Sequence, residues 1–394
     1  MKQLDLTADF KDLIEREFAG LISDSARSSI KGGQRAADLA LANLDITGYA
    51  KNRSVVAPVS RRGASMLSPY IRHNLITLSE AWNAVAKAPY ADREKFRDEL
   101  LWQEYARHLY ARIGTRLFQN LRFEQNWNNE IAGWPAGMAC TDSVLAELFE
   151  SGWLVNQTRM WLASHWTVRN QAGWLLGQEK MYQHLIDGSR AANLLGWQWT
   201  VGAGTGKPYG FARWQVEKQA AGLCNSCSLK NNCPIQEFPA ETVLPDAQFE
   251  PLLLADPDPA KTAGPAQPIT NRSPEFVMLT IDSLGDNDAA LVAHSELRAV
   301  FVFNAPALAK LQLSAKRIYF YLETLQDLAT RRELQVYLGD PYEFADQNSV
   351  AITYAPVPSF KKFRDLAEIH PYPWLKRPHG KSVRSFSAWR GKIQ

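Results

Sequence analysis

Cysteine is the residue type whose spacing in this chain most directly indicates chemistry. Cys224 and Cys227 are two residues apart, and Cys233 follows shortly after and precedes a proline. Three thiolates this close suit an iron–sulfur cluster or a zinc ion, and the spacing leaves both open. Unrelated buried thiols are a third interpretation, which the tight triplet disfavours. Cys140, well upstream, is the remaining cysteine.

A second group of residues could hold a charged aromatic ligand. Asn156, Arg159 and Met160 share one face of a predicted helix, because residues three and four apart are neighbours on a helix surface. Arg159 is a good partner for Asp187, since a guanidinium matches a carboxylate bidentately. Taken alone, the pair is an ordinary salt bridge between helices. Beside an isoalloxazine ring, the same pair could stabilise a reduced, anionic flavin.

Tryptophan is concentrated in the same region. Ten of the thirteen tryptophans fall between Trp102 and Trp214. A buried flavin served by an aromatic electron path would need such a density. Large aromatic side chains are, however, more often plain core than electron carriers.

The composition limits the class of protein. The 394 residues carry a net charge of +3, which is too small to argue for nucleic acid without a local basic patch. No apolar run reaches membrane-spanning length, and the N-terminus is too polar for a signal peptide. We therefore expect a two-domain cytoplasmic protein with no membrane partner.

Periodicity divides the chain into two domains of different class. Residues 1–237 predict a mostly α-helical domain, and the Pro-, Asp- and Ala-rich residues 238–274 predict a linker. Residues 275–394 predict a smaller α/β domain with a Rossmann- or flavodoxin-like parallel sheet and a basic C-terminal tail. The predicted strands are residues 276–281, 300–303, 334–338 and 350–354, and the predicted helices are residues 315–330 and 342–347.

Several motifs together resemble a known family. Over roughly residues 35–220, their order and spacing are similar to those of the flavin-binding core of DNA photolyases and cryptochromes. The motifs are Gly152-Trp153, Asn156, Arg159-Met160, Asp187-Gly188-Ser189, Asn193 and Trp197-Gln198-Trp199.

The resemblance implies an FAD cofactor with defined neighbours. Asn193 would face the flavin N5, and Asp187 with Arg159 would flank the ring. Trp197 would be the proximal electron donor and Trp174 the second, while Trp127 is only a guess for the third.

Further cofactor contacts follow from the same resemblance. The residues Ser65 and Ser68 align with the segment that holds the FAD phosphates, and Tyr49 resembles a flavin-contact tyrosine. Ser189 and Gln103 occupy positions at which the family usually has Asp and Arg. The FAD contacts are therefore expected to differ in detail.

A substrate pocket is implied beside the flavin. Glu99 and Trp102 resemble the residues that hydrogen-bond and stack on a flipped pyrimidine dimer, and Asn156 and Met160 match further pocket positions. Extruding a damaged base is relatively cheap because its pairing is already weak. Without the family, this stretch would be a solvated helix face.

The implied function is light-driven, FAD-dependent repair of damaged, possibly single-stranded DNA. The alternative is a blue-light photoreceptor without repair activity that contacts an unknown protein partner. A third class is a light-independent flavin and iron–sulfur protein that binds nucleic acid structurally.

The resemblance also bears on the cysteines and on the second domain. Cys140, Cys224, Cys227 and Cys233 are placed like the ligands of the iron–sulfur bacterial photolyases and cryptochromes, which favours a [4Fe-4S] cluster over zinc. Residues 282–291 resemble the opening of the photolyase antenna domain. The hypothesis is a circular permutation that places a shortened antenna-like domain after the flavin domain, and the alternative is an unrelated flavodoxin-like domain. No motif identifies an antenna pigment.

Overall fold

The computed structural model describes residues 1–270 and 273–393. Its first part is built from helices, and its second from a sheet with covering helices. The helices are α1 Phe10–Glu17, α2 Gln34–Ala42, α3 Tyr49–Asn52, α4 Ser68–Arg72, α5 Leu78–Ala84, α6 Tyr90–Ile113, α7 Ala139–Ser151, α8 Asn156–Ser164, α9 Trp174–His184, α10 Arg190–Thr200, α11 Arg213–Gln219, α12 Pro259–Ala263, α13 Ala289–Ala293, α14 Ala305–Leu311, α15 Ala315–Ala329, α16 Pro341–Gln347 and α17 Phe386–Arg390. The strands are β1 Lys2–Leu4, β2 Phe276–Leu279, β3 Arg298–Asn304, β4 Leu334–Gly339, β5 Val350–Thr353 and β6 Ala367–His370.

The sheet has the strand order β1-β4-β3-β2-β5-β6. All neighbouring pairs are parallel except β1 and β4, which run antiparallel with Lys2 opposite Leu338. Numbered along the chain, the five parallel strands have the Rossmann-type order 3-2-1-4-5, whose switch point lies between β2 and β5. The predicted fold class is therefore confirmed, with one antiparallel edge strand added.

The central strands follow directly from the sequence. Parallel strands covered on both faces read as continuous apolar runs, and β5 is buried at every residue. The four predicted strands and both predicted helices of this part are present, with small changes at their ends. Of the predicted linker over 238–274, residues 238–270 contain one α-helix, α12, and both Leu253 and Ala263 are buried there.

Two strands lie outside the prediction, for physical reasons. β1 has three residues and one buried side chain, Leu4, so it shows no alternation that could be recognised. It places the N-terminus in the sheet rather than in the helical domain expected over 1–237. β6 carries Glu368 and His370, whose polarity interrupts the apolar run. The domain boundaries and the circular permutation stay predictions.

Buried cations on α4 and α15 join the two parts of the molecule. Arg317 is 1% exposed and donates to the carbonyl oxygens of Tyr182, at 2.7 Å, and Leu185, at 2.8 Å. Arg72 of α4 pairs with Asp282 at 2.6 Å. Backbone carbonyls and one carboxylate therefore fix the sheet against the helices. Within the described ranges, no helix has the length and apolar character that a bilayer crossing requires.

The C-terminal segment returns to the helical part and ends against α6. Trp389 is fully buried, and its Nε1 donates to Nδ1 of His108 at 2.9 Å. The Nε2 of His108 lies 2.7 Å from the carbonyl oxygen of Lys376. This arrangement suits a neutral imidazole, because one nitrogen accepts and the other donates. Burial lowers the pKa of His108 to about 3.

We predict that His108 makes the protein less stable in mild acid. Its pKa is lower in the folded protein than the ordinary value of about 6.5, so the unfolded chain binds the proton more readily. The stabilisation that the neutral His108 contributes is complete above the ordinary pKa of about 6.5. It is lost as the pH falls from there toward the folded-state pKa of about 3. At pH 5 the loss attributable to His108 is about 2 kcal/mol. Urea unfolding at pH 7.5 and pH 5.0 should show a smaller pH effect in His108→Gln than in the unsubstituted chain. Equal pH effects in the two proteins would contradict the prediction.

Candidate functional site

A cavity of about 950 Å³ lies between the helical part and the sheet. Helices α4, α6, α8 and α10 supply much of its wall, and Asp282 and Pro356 close it from the sheet side. Its volume is at the upper end for small-molecule sites, as an extended cofactor requires. Thirteen of the predicted residues line it, namely Tyr49, Ser65, Ser68, Glu99, Trp102, Gln103, Asn156, Arg159, Met160, Asp187, Ser189, Asn193 and Trp197.

An ion pair forms one part of the cavity wall. The Nη2 of Arg159 lies 2.7 Å from Oδ2 of Asp187, so the pairing predicted from sequence is observed. The Nε and Nη2 atoms of Arg159 also donate to the carbonyl oxygen of Leu154, both at 3.1 Å, which fixes the guanidinium. The second carboxylate oxygen, Oδ1 of Asp187, is buried and has no hydrogen-bond partner among the described residues. Asp187 lines the cavity, so its carboxylate is the candidate acceptor for a ligand N–H at this part of the wall.

Helix α10 carries a row of cavity residues. Ser189 is its N-cap, and its hydroxyl accepts from the backbone N–H of Ala192 at 3.4 Å. Asn193 and Trp197 follow at intervals of four, which places all three on one face. The Nδ2 of Asn193 donates to Oε1 of Gln178 at 2.9 Å. That bond orients the amide beside the cavity.

The cavity wall also includes the segment that is expected to contact the FAD phosphates. Trp153 donates from Nε1 to the hydroxyl of Ser68 at 2.9 Å, and Ser65 lies in the loop before α4. The ring of Tyr49 packs edge-on against Phe96, with ring centroids 5.2 Å apart. Tyr49, Ser65 and Ser68 line one cavity with Asp187, although more than a hundred residues separate each of them from it in sequence.

Of the two tryptophans predicted to donate electrons, one lines the cavity and the other does not. Trp197 is 2% exposed, and its Nε1 has no hydrogen-bond partner within the described part of the chain. Trp174 does not line the cavity, and its Nε1 donates to Oδ1 of Asn120 at 3.2 Å. The role of Trp127 stays a prediction.

A second row of indoles was not found by sequence reasoning. A Cβ on Gly177 would lie 2.5 Å from Cη2 of Trp197 and 2.8 Å from Cδ1 of Trp166, so both rings converge on that glycine. Trp166 is fully buried and contacts Trp134, with ring centroids 4.8 Å apart. Trp197 and Trp166 therefore both lie beside Gly177, and Trp166 contacts the partly buried Trp134. No spacing in the sequence marks this row.

The predicted substrate pocket is covered by the C-terminal helix. The rings of Trp102 and Phe386 stack with centroids 4.0 Å apart and planes 11° apart. Phe386 is 8% exposed, and Arg390 of the same helix pairs with Asp98 at 2.6 Å. The tail therefore packs on the helical part and occupies one face of Trp102.

Glu99 lies beside this stack but is already paired. Its Oε1 is 2.9 Å from Nζ of Lys95 and 3.4 Å from Nε of Arg53. The carboxylate is about one-third exposed, so it remains accessible from the cavity. Asn156 and Met160 line the same cavity from α8.

The four cysteines line a second, much smaller cavity. Cys140, at the start of α7, meets Cys224, Cys227 and Cys233 there, as the sequence predicts. Burial and the neighbouring thiols of Cys224 and Cys233 raise the pKa of Cys140 to about 12. Within residues 1–270 and 273–393, no three cysteine sulfurs lie within 4.8 Å of one another. All four cysteines are free of disulfide bonds.

Residues 96–222 match a family model described as the FAD binding domain of DNA photolyase. The range includes Glu99, Arg159, Asp187 and Trp197. The resemblance drawn from the motifs is therefore confirmed for this part of the chain.

Curated relatives are similar to about a third of the chain. The deoxyribodipyrimidine photo-lyase of Synechococcus is 30% identical over 159 residues, covering 36% of this chain and 33% of that protein. The deoxyribodipyrimidine photo-lyase of Thermus thermophilus is 32% identical over 152 residues, covering 36% of each. The chain spans about a third of the length of the curated relatives it matches.

Solved structures give a weaker likeness. A bacterial class III photolyase from Agrobacterium tumefaciens is 24% identical, with a TM-score of 0.36, over 42% of this chain and 37% of that one. A Synechocystis cryptochrome is 19% identical, with a TM-score of 0.42, over 49% and 44% of the two chains.

We predict that Gly177 is required for the position of Trp197. In Gly177→Ala, the new methyl group would overlap the indole, and we expect a loss of about 1–3 kcal/mol in the free energy of unfolding. Alanine's higher helix propensity would offset only part of this loss.

Gly133→Ala is the matched control, because a Cβ there meets nothing within 4 Å. We expect this change to alter stability by less than about 0.5 kcal/mol. Urea unfolding measures the free energy of unfolding of both variants and of the unsubstituted chain. Equal values for Gly177→Ala and the unsubstituted chain would show that the indoles do not meet at Gly177.

Proposed function

We propose that the large cavity binds FAD and that the protein carries out light-driven, FAD-dependent DNA repair of pyrimidine dimers. The observation that supports this most is that thirteen residues predicted from the motifs line one cavity. The matched FAD-binding region and relatives named as deoxyribodipyrimidine photo-lyases support the same proposal. Bound FAD, once reduced and excited by blue light, supplies the electron that splits the dimer and receives it back.

The chain's own groups would hold and orient the flavin. The carboxylate of Asp187 lines the cavity and would accept a hydrogen bond from a ring N–H, while the ion pair with Arg159 orients it. Asn193 would contact the flavin N5 from the same helix face. The hydroxyl of Ser68 would contact the FAD phosphates. Gln103 and Ser189 occupy positions at which the family usually has Arg and Asp, so polar contacts would substitute for ionic ones at these two positions.

Electrons for flavin reduction would enter through buried indoles. Trp197 lies at the cavity wall and would be the proximal donor, with Trp174 next. Trp197, Trp166 and Trp134 would form a second route, because Trp197 and Trp166 meet at Gly177 and Trp166 contacts Trp134.

The lesion would be held between Glu99 and Trp102, with Asn156 and Met160 as further wall residues. A flipped base stacks favourably on an indole, and a carboxylate can accept from its N–H groups. The proposed substrate is damaged DNA, and its single-stranded form is the one tested below.

Repair depends on Glu99 in this proposal. Illumination of the FAD-loaded protein with dimer-containing single-stranded DNA should reduce the amount of dimer, and Glu99→Gln should slow that loss at least about ten-fold. The size follows because a hydrogen bond to a charged group contributes about 1.5–3 kcal/mol.

Glu94→Gln on the same helix is the matched control, because Glu94 is exposed and outside the cavity. It should repair at the unsubstituted rate. Unchanged repair in Glu99→Gln would remove Glu99 from the pocket. Photoreduction without any dimer loss in the unsubstituted protein would contradict the repair function.

A second candidate function is a blue-light photoreceptor without repair activity, which signals to a protein partner. One observation favours it: Phe386 stacks on one face of Trp102, the ring on which the flipped base is proposed to stack. The helix that carries Phe386 is held in place by the hydrogen bond from Trp389 to His108 and by the ion pair of Arg390 with Asp98. A flipped base therefore has to displace the tail, and a light-driven change at the flavin could release it.

We predict that removing the Phe386 ring opens the pocket. Phe386→Ala should bind dimer-containing DNA several-fold more tightly than the unsubstituted chain, because the competing stack is lost. Ser387→Ala, a neighbouring change that removes no ring, should leave the affinity unchanged. Fluorescence anisotropy with labelled DNA measures all three. Equal affinities for Phe386→Ala and the unsubstituted chain would contradict the covering role of the tail.

The cysteines are proposed to hold a [4Fe-4S] cluster, with zinc as the alternative. All four cysteines line one small cavity, and their chemistry suits either group. Because their placement resembles that of the iron–sulfur bacterial photolyases and cryptochromes, we place the cluster first.

Iron and sulfide analysis tests this placement. The anaerobically purified protein should contain about four iron and four sulfide per chain. Cys227→Ala should lose most of both, whereas Ser226→Ala should keep them. Zinc without iron in the unsubstituted protein would contradict the cluster.

A further inference from the structure

The sheet part holds a group of metal-binding side chains that the flavin and cysteine sites do not use. Glu368 and His370 are two residues apart on β6 and therefore point to the same face of the sheet. Their strand neighbours Ala367 and Ile369 face the apolar cluster on the opposite side. The strand therefore presents a carboxylate and an imidazole together.

A third side chain reaches the same point from a helix. His294 is the C-cap of α13, which packs on this side of the sheet, and its Nε2 lies 2.6 Å from Oε1 of Glu368. The Nε2 of His370 lies 2.7 Å from that same oxygen. The backbone carbonyl of His294 accepts from the guanidinium of Arg332, which fixes the helix end. Two imidazole nitrogens thus converge on one carboxylate oxygen.

The surroundings are those of a built site with one open side. Glu368 and His370 are 4% and 3% exposed, whereas the side chain of His294 is 22% exposed. Within the described part of the chain, this is the only group of three His, Cys, Asp or Glu side chains whose ligand atoms all lie within 4.8 Å of one another. The exposed edge of His294 leaves a route from solvent.

We propose that His294, Glu368 and His370 bind a divalent first-row transition metal ion, with zinc as the leading candidate. Two imidazole nitrogens and one carboxylate oxygen are a donor set that zinc uses with a water in the fourth position. The ligands come from β6 and α13, so the ion ties an edge of the sheet to its covering helix. Because the ion binds only the folded state, it stabilises the sheet part.

The donor chemistry separates this site from the cysteine site. The cysteines offer only sulfur and lie beside α7 and α11, whereas this group offers nitrogen and oxygen within the sheet part. The inference does not depend on flavin binding or on repair, and its test uses neither.

The test compares the zinc content and thermal stability of full-length variants. After incubation with ZnSO₄ and gel filtration, the unsubstituted chain should keep about one zinc ion more per chain than Glu368→Gln. Glutamine preserves hydrogen bonding to the imidazoles but is a poor zinc ligand, so it separates metal binding from a hydrogen-bonded cluster. Added zinc should raise the melting temperature of the unsubstituted chain and leave Glu368→Gln unaffected.

His370→Ala provides a second variant, and His184→Ala is the matched control, because His184 lies on α9 outside the group. His370→Ala should also lose about one zinc ion, and His184→Ala should lose none. Equal zinc contents in the unsubstituted chain and in Glu368→Gln would overturn the proposal. A zinc-induced rise in melting temperature that persists in both ligand variants would overturn it as well.

Discussion

The half-paired charge of Asp187 is the constraint on which the candidate site depends. Its side chain is 4% exposed, one oxygen is held by Arg159, and the other has no partner among the described residues. Leaving one oxygen of a buried carboxylate without a hydrogen bond reduces the free energy of unfolding by more than the roughly 1–3 kcal/mol that an unpaired neutral group costs. The fold tolerates this cost at the wall of a cavity, where a ligand with an N–H donor would remove it.

The rest of the architecture keeps that carboxylate in place and forms the cavity wall around it. Leu154 holds the guanidinium that orients it, and α10 continues from it with Asn193 and Trp197 on the same face. The sheet part is needed as well, because the Arg72–Asp282 pair and the buried Arg317 fix it against the helices. Both ends of the chain also cross between the parts, through β1 and α17. The cavity is therefore a property of the whole molecule rather than of the helical part alone.

Sequence reasoning found most of the site because its residues belong to ordered motifs. Asp187, Asn193 and Trp197 lie within eleven consecutive positions, and Arg159 was paired with Asp187 on charge and geometry alone. The strands were recognisable because buried parallel strands are apolar runs. The iron–sulfur ligands, the roles of individual residues and the permutation are still predictions.

What the sequence did not reveal depends on contacts between distant segments. The stack of Phe386 on Trp102 joins residues from opposite ends of the chain, and no local pattern marks either as a partner. Trp197 and Trp166 approach each other because Gly177 has no side chain between them, and this packing cannot be read from residue spacing. The His294 group needs a helix end and an edge strand to meet, and its strand was missed for the very polarity that makes it a ligand donor.

The visible absorption spectrum after incubation with FAD and gel filtration tests the cavity's occupant most directly. About one flavin per chain should co-elute with the unsubstituted protein. Asp187→Ala should retain at least about ten-fold less at limiting FAD, because the charged acceptor that meets the ring is gone. An unsubstituted chain that elutes colourless would contradict flavin binding, and retention by Asp187→Ala equal to that of the unsubstituted chain would contradict the role of the carboxylate.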